Sequence, residues 1–402
     1  MQLQYPNKRD AEVIVSSTAP AALDLVASFG SGHHNLLIHG GNLRVMKTLC
    51  SEHRLIGKVD LVYIDPPFST NAVYRHNSLR TQTVSSAPDD AIAYADKLKG
   101  PDYLEFIRER LVFLRELMAP HASIYLHIDY KVGHYVKVIM DEVFGARHFR
   151  NDISRIKCNP KNFARRGYGN VKDLILFYTK SNDFVWNEPR FSLQQHEIAR
   201  LFPKVDPRGR RFTTTPLHAP GETRSGKTGR EWRGQLPPKG RHWRCDPAVL
   251  EELDRQGRIE WSSTGNPRKI VYADEAMARG KRLQDIWEYK DPQYPKYPTE
   301  KNLELLKNIV RTSSNPGQVI LDCFCGSGTS LVAAQELGRS WIGIDESEIA
   351  ISTASSRLRA GDASLPCIEA GFKLLREHVG VHFQPIKSLT DGIGALPNQA
   401  AV

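Results

Sequence analysis

The first 180 or so residues alternate short apolar runs with segments whose apolar residues recur every three or four positions. The apolar runs predict buried strands at Leu36–His39, Val59–Ile64, Ser123–Ile128 and Leu174–Tyr178. The periodic segments predict helices at Leu43–Leu49, Tyr103–Met118 and Val132–Phe144. Strands that alternate with helices are typical of a doubly wound, mostly parallel sheet, so this pattern predicts an α/β fold.

The middle of the chain, from about Phe184 to Tyr294, breaks this alternation. It is rich in Arg, Gly, Pro and Trp, which predicts loops and short strands. From Thr299 the alternation returns, with predicted helices at Asn302–Arg311 and Ser330–Leu337 and predicted strands at Val319–Leu321 and Trp341–Ile344. After Glu369 the pattern fades. We therefore predict one domain built from residues 1–183 and 295–370, an insertion over 184–294 and a C-terminal tail over 371–402.

The charge distribution singles out the predicted insertion. The formal net charge is +10, and nine Lys or Arg residues lie between Lys204 and Arg244 against three acidic residues. Such a concentration of positive charge favours a polyanionic partner, and nucleic acid is the most common one.

Other features of the composition indicate where the protein works. No run approaches eighteen apolar residues, and the N-terminus lacks the apolar core of a signal peptide, so no membrane association is expected. The six cysteines are scattered without a CxxC pair, which suits a reducing cytoplasm and predicts no metal site. Cys323 and Cys325 are expected to point into the core.

The first motif with chemical content is Asp65-Pro66-Pro67-Phe68, directly after the strand Val59–Ile64. Ligands of open α/β sheets bind beyond the carboxyl ends of strands, where this tetrapeptide lies. The prolines stiffen a loop that presents a carboxylate, a carbonyl and an aromatic ring. Oxygens that accept from both N–H groups of a planar amine would make its nitrogen more nucleophilic, while the ring stacks on the base. A turn with an N-capping aspartate is the alternative.

The second motif joins the strand ending at Asp322 to the next helix through Phe324-Cys325-Gly326-Ser327-Gly328-Thr329. No lysine follows Gly328, which argues against a P-loop, and Leu331 stands where a dinucleotide fingerprint has its third glycine. The next strand ends in Asp345, a position suited to accepting both ribose hydroxyls of an adenosine. These features predict an adenosine ligand without pyrophosphate.

In order and composition the two motifs resemble the amino-directed DNA methyltransferases of the β arrangement, including the modification subunits of type III restriction systems. In that family an Asp-Pro-Pro-aromatic motif comes first, a target-recognition region follows, and a Phe-x-Gly-x-Gly-Thr loop comes last. The resemblance runs from about Leu36 to about Leu358 and takes in Tyr103–Phe106, Gly145 and Pro298–Lys301. It implies the methyltransferase fold with permuted motif order and makes 184–294 the target-recognition insertion.

The resemblance also implies a role for individual residues. The catalytic motif comprises Asp65, Pro66, Pro67 and Phe68. The cofactor is S-adenosyl-L-methionine, and the residues implied to hold it are Asn42, Thr299, Lys301, Asp322, Phe324, Gly326, Ser327, Gly328, Thr329 and Asp345. The loop from Phe324 wraps its methionine end, and Asp345 holds its ribose.

Three positions depart from the family pattern. Cys323 replaces a proline, Asn302 stands where a proline commonly follows Lys301, and Gly40-Gly41-Asn42 replaces Gly-Asp-Asn. The last change implies that a contact to the adenine of the cofactor is lost or moved to Asn42. These departures bear on cofactor affinity more than on reaction type.

Together these observations predict a site-specific methyltransferase acting on N6 of adenine in duplex DNA, with the target base flipped out. The nearest alternative is methylation of N4 of cytosine, since members with that activity more often carry Ser in place of Asp65. Further alternatives are a catalytically silent DNA-binding protein of this fold, and methylation of RNA or of a protein amide, where Asn commonly replaces this Asp.

Within the insertion, two groups of arginines are predicted to contact DNA differently. The five residues are Arg208, Arg210, Arg211, Arg241 and Arg244. The first three lie in a flexible, charge-dense run that suits phosphates. The other two flank Trp243, which suits a bidentate contact to guanine. Duplex DNA is thus the expected partner of a cytoplasmic, nucleoid-associated enzyme, and a homodimer and a partner restriction endonuclease stay open.

Overall fold

The computed structural model describes residues 2–30, 35–67, 73–76, 84–85, 91–95, 98, 100–160, 164, 166–223, 225–293, 295, 300–360 and 371–378. The chain divides into two compact units, a main unit of residues 1–187 and 284–402 and a second unit of residues 188–283. Within the described part of the chain, no helix has the length and apolar character that a membrane span requires.

The described helices are α1 Ala11–Ser17, α2 Asn42–Ser51, α3 Gly100–Leu117, α4 Gly133–Phe144, α5 Gln195–Leu201, α6 Pro247–Arg255, α7 Ala273–Arg279, α8 Leu303–Ser313, α9 Thr329–Glu336 and α10 Glu348–Ala360. The described strands are β1 Leu23–Phe29, β2 Asn35–His39, β3 Val59–Ile64, β4 Val73–His76, β5 Val84–Ser85, β6 Ala91–Ala95, β7 Met118–Ile128, β8 Phe149–Ile156, β9 Lys172–Thr179, β10 Arg190–Phe191, β11 Lys204–Val205, β12 Arg211–Pro216, β13 His218–Pro220, β14 Arg241–Trp243, β15 Ile259–Trp261, β16 Pro267–Tyr272, β17 Lys281–Arg282, β18 Ile286–Trp287, β19 Val319–Asp322, β20 Ser340–Asp345 and β21 Phe372–Glu377.

The main unit is built on a ten-stranded sheet with the order β1-β21-β2-β20-β19-β3-β7-β9-β8-β18. Its six central strands, from β21 to β7, run parallel to one another. Strand β1 and strand β9 pair antiparallel with their neighbours. The prediction of a mostly parallel α/β sheet is therefore confirmed.

The centre of this sheet explains the apolar runs of the sequence. All six residues of β3 are buried, as expected for a parallel strand covered on both faces. Helix α3 contributes Ile107, Leu111 and Leu114 to the same core. Helix α8 begins where the side chain of Asn302 accepts hydrogen bonds from two backbone N–H groups, so this departure from the family proline supplies an N-cap.

Several elements of the main unit were not predicted. They include edge strand β1, strand β8 and helix α10. The largest difference concerns the expected tail over 371–402, because residues Phe372–Glu377 form β21 between β1 and β2. Strand β21 reads Phe-Lys-Leu-Leu-Arg-Glu, a short mixed pattern that only its neighbours in the sheet turn into a strand.

The second unit contains a four-stranded sheet, β11-β12-β16-β15, and the hairpin pair β13-β14. Leu217, Trp232, Trp243 and Leu250 form a small core. Trp261 stacks on Trp232 with 5.6 Å between ring centroids. The bounds of this unit, 188–283, are narrower at both ends than the predicted insertion.

Candidate active site and cofactor loop

Four neighbouring parallel strands end at the edge of the sheet that carries the predicted motifs. In sheet order they are β2, β20, β19 and β3. Their ends lead to Asn42, Asp345, Asp322 and Asp65 respectively. Because carboxyl ends of parallel strands share one edge, residues from distant parts of the chain gather where this fold binds ligands.

Asp65 has two carboxylate oxygens in different surroundings. Oδ2 lies 2.6 Å from the Nζ of Lys301. Oδ1 is buried and has no hydrogen-bond partner among the described residues, with the Nδ1 of His127 4.0 Å away. Pro66 is buried and Pro67 half-buried. A buried acceptor with an unused oxygen is costly unless a ligand supplies a donor.

The loop after β19 is held from inside by Asp322. One oxygen of this buried carboxylate accepts from the backbone N–H of Phe324 at 2.9 Å, and the other accepts from the hydroxyl of Ser330 at 2.5 Å. Burial raises the pKa of Asp322 to about 7. Gly328 adopts φ +78°, and a Cβ there would lie 2.9 Å from the Cβ of Ala354, so this turn requires glycine.

Asp345 also holds this loop. Its Oδ2 accepts from the backbone N–H of Gly326 and its Oδ1 accepts from that of Ser347, both at 2.9 Å. Burial raises the pKa of Asp345 to about 6. Each carboxylate oxygen retains a second lone pair, so these bonds are compatible with the predicted contact to a ribose.

Arg357 on α10 contacts the predicted cofactor loop, and the sequence reasoning missed it. Its Nη1 donates to the carbonyl and hydroxyl of Ser327 and to the hydroxyl of Thr329, at 2.8–3.0 Å. The same nitrogen lies 3.0 Å from a carboxylate oxygen of Glu300. Arg357 therefore clamps the glycine loop onto the segment before α8. No local motif marks it, because its partners lie about thirty and fifty-seven positions earlier in the chain.

Comparison with known proteins identifies the family of this chain. A family model described as DNA methylase matches residues 59–356. The Type II methyltransferase M.EcaI of Enterobacter cloacae is 38% identical over 90% of this chain and 78% of its own length. The chain belongs to the DNA methylase family. This membership makes it a DNA methyltransferase, and S-adenosyl-L-methionine is its cofactor.

More distant similarities were also found. The StyLTI Mod subunit of a type III restriction-modification enzyme from Salmonella typhimurium is 24% identical to this chain. The aligned segment covers 83% of this chain and 54% of that subunit. The crystal structure of TTHA0409 from Thermus thermophilus, described as a putative DNA modification methylase complexed with S-adenosyl-L-methionine, is 16% identical. That match has a TM-score of 0.44 and covers 87% of the methylase and 100% of the other chain.

The residues of the methylase fit this cofactor. Asp322 and Asp345 hold the glycine loop at the N-terminus of α9, a setting suited to a cationic sulfonium and to ribose hydroxyls. The partly buried ring of Phe324 lies 6.0 Å from that of Phe106. Phe68 and Thr299, predicted as a catalytic and a cofactor residue, lie outside the described residues. Among the residues that are described, no cluster of His, Cys, Asp or Glu could hold a metal ion.

A carboxylate from β21 contacts the turn at Gly41, where the family usually has an aspartate. A carboxylate oxygen of Glu377, on β21, accepts from the backbone N–H of Gly41 at 2.8 Å. A Cβ on Gly40 would lie 2.8 Å from the Cβ of Glu377, so the glycine makes room for this strand. Asn42 links the loop after β19 to α3. Its side-chain N–H donates to the carbonyl of Cys323, and its side-chain oxygen accepts from Arg110, each at 2.8 Å.

The arginines predicted to contact DNA lie in the second unit in two different settings. Arg210 makes a bidentate ion pair with Asp274 and stacks 3.6 Å from the centroid of the Tyr272 ring. Arg208 and Arg211 are exposed. Arg241 and Arg244 are also exposed and flank the fully buried Trp243, as the sequence implied. Trp243 donates its indole N–H to the carbonyl of Arg230, so it anchors the β13-β14 hairpin and is buried away from any base.

Proposed function

We propose that this methylase transfers a methyl group to N6 of adenine in duplex DNA, with Asp65 as the acceptor for the target amine. The observation that carries the proposal is the buried Oδ1 of Asp65, which lies at the end of β3 beside the cofactor loop and has no described hydrogen-bond partner. When bound, S-adenosyl-L-methionine supplies an electrophilic methyl group.

The chemistry of this chain's own residues follows from that arrangement. The Nζ of Lys301 holds Oδ2, which orients the carboxylate and leaves Oδ1 to accept one N–H of the amine. The carbonyl of Pro66 accepts the other N–H, since the ring of Pro67 removes a competing backbone donor. Both hydrogen bonds localise the nitrogen lone pair, and the carboxylate stabilises the positive charge that develops on nitrogen.

Adenine is proposed over cytosine because the residue at this position is an aspartate. Amino methyltransferases that act on N4 of cytosine more often have serine there. A target inside a duplex is out of reach of a buried carboxylate, so the base is flipped out of the stack to meet Asp65.

The second unit is proposed as the target-recognition module. Its exposed arginines, Arg208, Arg211, Arg241 and Arg244, provide positive charge for phosphates and base edges. Trp261 is 42% exposed and is held in place by its stacking on Trp232, which suits contact with a base. A DNA substrate places the enzyme in the cytoplasm, on the nucleoid. A Mod subunit of a type III restriction-modification enzyme is among the relatives, which supports a restriction endonuclease as a further partner.

Expression in a host without DNA methylation, followed by genome sequencing with modified-base detection, tests this function. We expect N6-methyladenine at one short sequence, and none with the Asp65→Ala variant. N4-methylcytosine at a defined sequence would instead identify a cytosine enzyme. A genome without modified bases, together with specific duplex binding in vitro, would identify a silent DNA-binding protein.

A further inference from the structure

A buried row of polar groups lies directly behind Asp65. The hydroxyl of Tyr63 is 3.0 Å from the Nδ1 of His127, whose Nε2 is 3.4 Å from the Oδ2 of Asp173. His127 is fully buried and Asp173 is 2% exposed. The three residues lie on the adjacent strands β3, β7 and β9, at the same sheet edge as Asp65. Such a network is expensive to bury unless its members are satisfied.

The charges around this row fix its protonation pattern. Asp173 lies 2.6 Å from the Nζ of Lys157 and 3.6 Å from an Nη of Arg155. Although burial acts to raise it, the pKa of Asp173 lies well below its ordinary value because His127 and Lys157 donate hydrogen bonds to the carboxylate. An ionised carboxylate only accepts, so the Nε2 of His127 carries the hydrogen.

The other ring nitrogen is then a base. Burial raises the pKa of Tyr63 well above its ordinary value, so its hydroxyl keeps its proton and donates to the Nδ1 of His127. Burial also lowers the pKa of His127 from its ordinary 6.5, which keeps the ring neutral at physiological pH. Nδ1 therefore accepts from the hydroxyl of Tyr63 at 3.0 Å, and the Oδ1 of Asp65 lies 4.0 Å from the same nitrogen.

We propose that the His127–Asp173 pair takes up the proton that methylation of the amine releases through Asp65. This inference rests on the proposed function, since it assumes that Asp65 receives that proton first. Methyl transfer would form the N–C bond and break the methyl–sulfur bond of the cofactor, whose electron pair stays on sulfur. One N–H bond of the methylated amine then breaks, its electron pair stays on nitrogen, and the proton moves to the Oδ1 of Asp65. The proton then moves to the Nδ1 of His127 as the hydroxyl of Tyr63 turns from donor to acceptor, which leaves an imidazolium between two carboxylates.

The remaining charged neighbours support this route. Lys301 is a cation bound to Oδ2 of Asp65 and cannot accept a proton, and Arg155 and Lys157 are cations on the far side of Asp173. The side chain of Asp65 is only 16% exposed, so direct loss of the proton to water is hindered. Once Oδ1 carries the proton, a rotation that shortens the 4.0 Å gap by about 1 Å lets its O–H donate to the Nδ1 of His127.

The test is the pH dependence of single-turnover methylation at concentrations of S-adenosyl-L-methionine and DNA that saturate the protein at every pH, so that protonation of Asp345 does not enter through cofactor affinity. In the wild-type protein the rate should rise with pH through a step below 6.5, where His127 becomes neutral. His127→Gln retains a donor for Asp173 but cannot take up a proton. We expect it to lower the rate by about 100-fold at pH 7.5 and to abolish the step. If His127→Gln methylates at the wild-type rate, or at a lower rate with the pH step intact, the proposal is overturned.

The chain offers a matched control at the opposite end of the same two strands. The Nε2 of His121 on β7 lies 2.7 Å from the carboxylate of Asp60 on β3. This pair is remote from Asp65 in the strand register, so His121→Gln should retain both the rate and the step. The side chain of His121 is partly exposed, so this control tests the loss of a histidine–aspartate pair between β7 and β3. An equal loss in both variants would indicate that such pairs act through the strands and would contradict the proposal.

Two further measurements separate this inference from the proposed function. Asp65→Asn keeps an oxygen that accepts from the amine but cannot take up its proton, so an active Asp65→Asn variant would overturn the proton route and leave the proposed function standing. If Asp65→Asn is inactive while His127→Gln behaves as wild type, the proton route fails as well. Only the absence of methylation by the wild-type protein would make the proposed function fail. If His127→Gln does not fold, proton release measured on the wild-type protein tests the proposal instead. A pH-indicator dye should report proton release that lags behind methyl transfer, because His127 holds the proton until the product leaves. Simultaneous release would overturn the proposal.

Discussion

The two units of this methylase hold their charged residues in opposite ways. In the main unit Arg155 is wholly buried, with its Nη2 2.5 Å from Asp291 and its Nε donating to the carbonyl of Tyr289. In the second unit Arg210 pairs with Asp274 at the surface, where the two side chains are 39% and 61% exposed. A buried charge that loses its partner costs several kcal/mol, whereas a surface pair is worth about 0–1 kcal/mol.

This difference teaches what each unit can do. Buried ionised groups of the main unit, such as Arg155, are fixed in position, as a reacting amine requires. Those of the second unit can exchange partners at little cost, which suits a surface that meets many DNA sequences before the correct one. Substitutions should therefore act on rate and cofactor affinity in the main unit, and on DNA affinity and specificity in the second.

The largest effect is expected from Asp65→Ala in the main unit. Removal of the acceptor should lower single-turnover methylation by about 10²–10³-fold or more, because the developing charge loses its stabilising carboxylate. Calorimetry should show nearly unchanged affinity for S-adenosyl-L-methionine, since Asp65 faces the amine. Near wild-type turnover by this variant would contradict the mechanism and remove the contrast between the units.

The second-largest effect is expected at Asp345, where substitution should lower the affinity for the cofactor. Asp345→Ala should weaken binding of S-adenosyl-L-methionine by about 1–3 kcal/mol, because polar groups of the ribose are left unpaired. Burial raises the pKa of Asp345 to about 6, so wild-type affinity should fall as the pH drops through 6 and the carboxylate becomes protonated. Asp345→Asn, which cannot ionise, should lack this pH dependence. Unchanged calorimetric affinity in both variants would move the ribose site, with Glu346 the first substitute.

In the second unit, Arg241 and Arg244 should act on specificity. Their backbone is anchored by buried Trp243, so a guanidinium can be held for bidentate contact with a guanine. Replacement of either by Ala should cost about 1–3 kcal/mol of discrimination at one base pair, with little change for other positions. Titration against a cognate duplex and singly substituted duplexes measures this, and equal losses for all sequences would indicate phosphate contacts instead.

The smallest effects concern Arg208 and Arg210, which lie two positions apart in different settings. Arg208 is exposed, so Arg208→Ala should weaken binding to all sequences alike and lower the salt slope by about one unit. Arg210 is already paired with Asp274, so Arg210→Ala should change the slope less. Binding titrations across salt concentrations compare the two; equal slopes for both variants and wild type would place the DNA surface outside this segment.

Much of the main unit could be predicted from sequence because its strands are covered on both faces. The run Val59–Ile64 is apolar except for Asp60, and burial on both sides leaves few other choices for such a run. Edge strand β1 was missed because only its first residue is fully buried, which leaves no apolar run to detect. Strand β21 was assigned to the tail for a similar reason. The hydrogen bond between Glu377 and the turn at Gly41 was therefore missed as well.

The sequence by itself determined the order of the two motifs, the residue types that chemistry at an amine requires, and the family to which the chain belongs. The two motifs can be recognised from sequence alone because each is a continuous loop that directly follows a strand. Only the tertiary structure decided which oxygen of Asp65 is used by Lys301, that Arg357 clamps the cofactor loop, and that His127 and Asp173 lie behind the site. These contacts join residues 28 to 236 positions apart, and strand order and register, which no local pattern encodes, bring them within a few ångströms.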